Sequence, residues 1–261
     1  MRQMTNNEIK NIIKLSQKKY REEENKFIIE GKHLIDECLK SDYIRKTEKI
    51  YVAKSFEDNR IINQIEKNNI PIEYISDKEF KKISETKSPQ GILAVLNKKS
   101  DTDKPEGNII FCLDTINDPG NLGTIIRTLW WFGIKDLLLS ENSTDPYNSK
   151  CIRATQGGIF NINIKENLNL RENLIRIKNS GYEIYLMRLD SEENIFEFKP
   201  MTNGKYCFVF GNEANGISDV IKNEKEFRSL KIPSFSECES LNVASSVTVA
   251  CYHLRLFLPQ K

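Results

Sequence analysis

The chain runs to 261 residues with 39% hydrophobic and 29% charged side chains, a globular composition that excludes a disordered polymer. Its longest apolar runs, Ile109 to Leu113 and Leu129 to Ile134, fall far short of the about 18 residues that a bilayer span demands. The polar start from Met1 to Lys10 has no signal-peptide core, so the expectation is a cytoplasmic protein with no membrane contact. Charge divides unevenly: residues 1–100 carry 21 basic and 16 acidic side chains, residues 101–261 carry 18 and 21. The front half is the better partner for a polyanion, although a lysine-rich solvated surface accounts for the same charge equally well.

In chain order, apolar Ile9, Ile12, Ile13 and Leu15 predict a helix over residues 6–19. A second helix is expected over 32–40, a strand at 49–53, a helix at 61–67, a strand at 72–75, a short helix at 78–83 and a strand at 91–96. NKKSDTDKPEG, residues 97–107, is polar throughout and reads as a linker. A small domain over 1–98, a linker over 99–107 and a larger domain over 108–261 follow.

Beyond the linker the pattern alternates. Strands are expected at 108–113, 135–139, 182–187, 206–210 and 229–232. Helices are expected through a Gly-rich turn to about Phe132, then at 150–156, 168–179, near Ile217 and over 241–257. Strands separated by helices predict an α/β domain with a mostly parallel sheet.

Six cysteines stand singly at 38, 112, 151, 207, 238 and 251, with only His33 and His253 beside them. That composition argues against a zinc cluster and against Ser-His-Asp hydrolysis. Neither a P-loop nor a Gly-x-Gly-x-x-Gly turn occurs, so the common nucleotide sites are not supported.

Three loops stand instead at expected strand ends, where open α/β sheets bind ligands. The first, Asp118-Pro119-Gly120-Asn121-Leu122-Gly123, enters a helix with Leu122, Ile125, Ile126 and Leu129 on one face and Asn121, Thr124, Arg127 and Thr128 on the other. The second is Gly211-Asn212-Glu213-Ala214-Asn215-Gly216. The third runs from Ile232 through Glu239, Ser240, Leu241 and Asn242, with Ser240 expected to cap the last helix. Alone, the first loop reads equally as an anion site at a helix N-terminus or as a Gly-permitted turn with a surface Arg, the second as a turn and the third as a helix cap; together they form a constellation.

The set NDPGNLGTIIRT, FVFGNEANGIS and IPSFSECESLNVASS resembles the SpoU (TrmH) family of the SPOUT superfamily, S-adenosylmethionine-dependent RNA ribose 2′-O-methyltransferases. KKYREEENKFIIEGKHLI and SPQGILAVL are similar to the ribosomal-protein-like RNA substrate-binding domain common in that family. Ala244 and the bulky Trp130-Trp131 pair depart from the usual pattern.

The resemblance implies a deep trefoil knot in the second domain and a homodimer. It implies Asn121, Arg127, Glu213, Ser240 and Asn242 in the catalytic pocket, and Gly211, Gly216, Ile232 and Leu241 at S-adenosylmethionine. No metal is implied. The substrate is RNA, ribosomal in preference to transfer RNA, with Lys18, Lys19, Arg21 and Lys32 of the front domain as RNA contacts. The alternatives are a tRNA methyltransferase of the same superfamily and a catalytically silent RNA-binding relative. Arg127 is left as either the base or the group that holds a phosphate.

Overall fold

The computed structural model describes residues 3–99 and 105–258, so residues 100–104 of the expected linker lie outside the described residues. The chain divides into two compact units, Met1–Ser100 with Tyr147–Phe160 and Asp101–Pro146 with Asn161–Lys261.

The first unit opens with α1 (Asn6–Lys14) and α2 (Lys18–Glu24) where the sequence reading expected one helix. Thr5 and Glu8 start α1 with reciprocal hydrogen bonds, the capping-box arrangement. The break after Lys14 has a specific support. Arg21, only 3% exposed, folds back and donates to the Leu15 carbonyl oxygen at 2.7 Å.

β1 (Lys26–Glu30), α3 (Lys32–Lys40), β2 (Thr47–Ala53), α4 (Asn59–Lys67), β3 (Ile72–Ile75), α5 (Asp77–Ile83) and β4 (Ile92–Asn97) follow. The sheet order is β1-β4-β2-β3, with β2 and β3 parallel and the other pairs antiparallel. Successive strand side chains point to opposite faces. Tyr51, Ala53, Leu93 and Val95 thus join Ile9, Ile12, Phe80 and Ile83 of α1 and α5 in one core. β1 was not anticipated as a strand, although its burial alternates residue by residue.

The second unit is built on β5 (Ile109–Leu113), α6 (Pro119–Trp131) and β6 (Asp136–Ser140). The expected linker ends under restraint: Glu106 and Gly107 donate their backbone N–H groups to the carboxylate of Asp136 at 3.2 and 2.8 Å. The chain then forms α7 (Ser149–Thr155), which packs within the first unit although the sequence reading assigned it to the second. Tyr147 lies 4.7 Å from the Phe27 ring and Phe160 lies 5.5 Å from Tyr43. Gly157, at φ +97°, lets the backbone pass beside Glu37; a Cβ there would sit 2.7 Å from the Glu37 Cβ.

β7 (Asn163–Leu168), α8 (Leu170–Asn179), β8 (Glu183–Met187), β9 (Tyr206–Phe210), α9 (Asp219–Lys222), β10 (Arg228–Leu230) and α10 (Val243–Phe257) complete the second unit. Its six strands run in the order β10-β8-β9-β5-β6-β7, and every pair is parallel. β5, β6 and β9 are buried along their full length, as expected of strands covered on both faces. Leu170, Leu174 and Ile177 of α8 cover one face.

α6 and α10 pack on each other. Leu122, Ile125, Ile126 and Leu129 are buried as the stripe predicted, as are Val243, Val247, Ala250 and Leu254. Arg255 fastens the pair by donating to the Phe132 and Gly133 carbonyl oxygens at the end of α6, groups that a helix leaves without intrahelical partners.

Candidate active site

The chain leaves β5 toward β6 and β7 on one side, and returns through β8 and β9 to the other side of β5. The carboxyl ends of β5 and β9 therefore form a topological switch point, the usual ligand position in open parallel sheets. Two of the three singled-out loops leave these strands directly, and the third follows β10.

A polar support lies beneath them. Asp114 is buried and accepts from the Ser218 N–H at 2.8 Å. Thr115, at φ +62°, donates its N–H to Ser140 Oγ at 2.8 Å, and its carbonyl oxygen accepts from Asn212 Nδ2 at 2.8 Å. A β-branched residue in the left-handed region is strained, and these bonds hold it there. Asp114, Thr115 and Ser218 were not singled out as functional residues. The available signal was a polar pair ending an apolar strand.

The second loop closes on itself. Asn212 and Gly216 exchange two backbone hydrogen bonds of 2.9 Å. A Cβ on Gly211 would meet the Gly216 carbonyl carbon at 2.1 Å and the Ile217 nitrogen at 2.2 Å, whereas Gly216 has open space but φ +67°. One glycine answers to space and the other to backbone conformation.

Three expected catalytic residues meet. Asn242 donates from Nδ2 to Asn121 Oδ1 at 3.1 Å, and Asn121 donates from Nδ2 to Glu213 Oε1 at 2.7 Å. Asn121 stands in the first turn of α6, where Asp118 accepts its N–H at 2.8 Å. Asn242 caps α10, with Oδ1 accepting from the Ala244 and Ser245 N–H groups. The expected cap, Ser240, is displaced from that role by two residues. It lies exposed on the third loop, where its carbonyl oxygen accepts from Cys238 Sγ.

Arg127 lies exposed on α6 and makes no hydrogen bond or ion pair among the described residues. Ile232 is half-buried and Leu241 is 51% exposed.

In the first unit Lys18 and Lys19 pair with Glu22 and Glu23 at 3.6 and 3.8 Å, and Lys32 lies over the Phe56 ring. All three lysines remain at the surface. Arg21 does not: its guanidinium is spent inside the unit, which removes it from the expected RNA-contacting set.

With this geometry in view, the profile of the SpoU rRNA Methylase family matches residues 108–252. The chain belongs to that family. The MRM3-like substrate binding domain matches residues 6–94. The 23S rRNA (guanosine(2553)-2′-O)-methyltransferase RlmP of Bacillus subtilis is 33% identical, with 96% of each chain covered. An AdoMet-bound rRNA methyltransferase from Sinorhizobium meliloti superposes with a TM-score of 0.84 at 25% identity, covering 100% of this chain and 98% of that one. The SpoU methyltransferase AviRb of Streptomyces viridochromogenes, at 18% identity, shares the fold with a TM-score of 0.82, covering 96% of this chain and 97% of that one.

Proposed function

We propose that this SpoU-family methyltransferase transfers the methyl group of S-adenosylmethionine to a ribose 2′-hydroxyl of ribosomal RNA, with 23S rRNA as the substrate. The observation that carries the reading is the directed relay from Asn242 through Asn121 to Glu213. It joins three distant stretches of chain at the carboxyl edge of a parallel sheet.

The cofactor brings an activated methyl group, so the chain has to orient the acceptor and manage its proton. Gly211, Gly216, Ile232 and Leu241 form the cofactor's cradle. Glu213 has Oε1 engaged by Asn121, which holds the carboxylate in place to accept a hydrogen bond from the ribose hydroxyl. Arg127 holds the neighbouring phosphate. A guanidinium with a pKa above about 12 is a poor base and a good phosphate ligand. Ser240 completes the pocket from the third loop.

The relatives' names support ribosomal RNA as substrate, and the substrate-binding match supports the first unit as the part that grips it. Lys18, Lys19 and Lys32 supply phosphate contacts there. The family resemblance supports a knotted second unit, a cytoplasmic setting and a homodimer. Trp131, Tyr252 and Leu256 are exposed on the packed pair α6 and α10, and a partner copy covering them gives each large side chain a burial it lacks alone.

The test is methylation of unmodified 23S rRNA by the purified chain with labelled S-adenosylmethionine, followed by nucleoside analysis. Label in a 2′-O-methyl nucleoside is the expected result. Label on a base, or on transfer RNA alone, overturns the reading.

A further inference from the structure

We propose that Phe235 is a stacking platform for an unpaired base of the RNA substrate, at the methylated nucleotide or its immediate neighbour. The inference rests on the ribose-methylation reading above.

Phe235 is 90% exposed, more than any other large apolar side chain among the described residues. It stands on the third loop, between Ile232 and the Ser240–Asn242 segment, and no aromatic ring packs against it among the described residues. The support beneath it is built. The Ser236 N–H donates to Ser234 Oγ at 3.3 Å, and that hydroxyl donates to the Ser236 carbonyl oxygen at 2.8 Å. The Cys238 N–H donates to Ser236 Oγ at 3.3 Å, and Cys238 Sγ to the Ser240 carbonyl oxygen at 3.4 Å. Local bonds thus run from the turn that carries the ring to the residue expected in the catalytic pocket. These bonds are local and residues 234–242 are exposed, so the ring stands where an incoming base can reach it.

The chemistry supplies the occupant. In-line transfer needs the 2′-hydroxyl turned toward the cofactor, which is easiest for a nucleotide freed from its helix. A freed base loses its stacking neighbours, and single-stranded RNA is commonly held by stacking such bases on aromatic rings. A phenyl face serves any base, so the ring positions the nucleotide without reading its identity.

The test compares Phe235→Ala, Phe235→Leu and Phe235→Trp in the full chain, with unmodified 23S rRNA transcript as substrate. Stacking predicts that Ala and Leu lower kcat/KM for RNA about tenfold or more. Trp retains activity, and S-adenosylmethionine affinity and Tm stay at the wild-type values in all three. Wild-type activity in the Leu variant overturns the proposal, and so does a parallel loss of cofactor affinity, which assigns the ring to the adenine. Methylation by wild type with no effect of any variant sinks the stacking role alone; no methylation by wild type sinks this role together with the reading it rests on.

Discussion

Asn242 and Asn121 face each other across 121 residues of chain, and the bond between them has a fixed direction. The Asn242 oxygen already accepts the Ala244 and Ser245 N–H groups, so its amide nitrogen must point at Asn121. Asn121 can then present its own nitrogen only to Glu213. Asn242→Asp keeps the cap but replaces the donor with a second acceptor facing Asn121 Oδ1. Unfolding free energy should fall by about 0.5–1.5 kcal/mol, the loss of one hydrogen bond, while kcat falls. Asn242→Ala loses both roles and costs about 1 kcal/mol of stability besides. Urea titrations alongside single-turnover rates separate the two variants, and equal stability losses would contradict the division of labour.

Arg127→Ala removes an exposed group that has no intramolecular partner among the described residues. Stability should change by less than about 0.5 kcal/mol. If the guanidinium holds substrate phosphate in the transition state, turnover falls about 10²-fold or more with cofactor affinity unchanged. Isothermal titration with S-adenosylmethionine and methyl-transfer kinetics on one preparation test both statements. A fully active variant refutes the role.

Gly157→Ala should damage the first unit. The position has φ +97° and a Cβ there runs into the Cβ and Cγ of Glu37, atoms near the backbone that cannot swing away. A loss of about 2 kcal/mol or more is expected, read as a lowered urea midpoint. Gly181→Ala is the control, because its added Cβ meets nothing within 4 Å; it should lose less, through its positive φ alone.

Burial holds the carboxyl pKa of Asp136 above its ordinary value, against the lowering effect of the Glu106 and Gly107 N–H groups. Its proton therefore binds more tightly in the folded chain than in the unfolded one. That contribution favours folding below the unfolded pKa of about 3.9 and is lost as pH rises through the raised folded value. Relative to Asp136→Asn, wild type should lose stability with rising pH across this window. Paired denaturant titrations at several pH values measure it, and parallel pH profiles would contradict the assignment.

The second unit was the more legible half in sequence. Long apolar runs mark β5 and β9, and Asp118 with Pro119 announces the start of α6, so the three loops fell at observed strand ends. β7 escaped because NIKENL, at the sheet edge, is only half-buried and carries no alternation. The break between α1 and α2 escaped because the apolar spacing continues to Leu15, while the interruption lies in the extended backbone of Gln17 and in the Arg21 side chain that bonds the Leu15 carbonyl oxygen. At the site the residue types were legible, but their division of labour was not. Nothing local distinguishes Ser240 from Asn242 as the cap; that choice follows from where α10 begins against α6.

The return of Tyr147–Phe160 to the first unit sets a clock on synthesis. A nascent chain that has emerged only through β4 holds every strand of the first sheet, yet lacks the partners of Phe27 and Tyr43. At about 5–20 residues per second, translation needs several more seconds to deliver them. During that interval a half-covered aromatic surface faces the solvent beside the ribosome, where a chaperone that binds exposed rings has its opening.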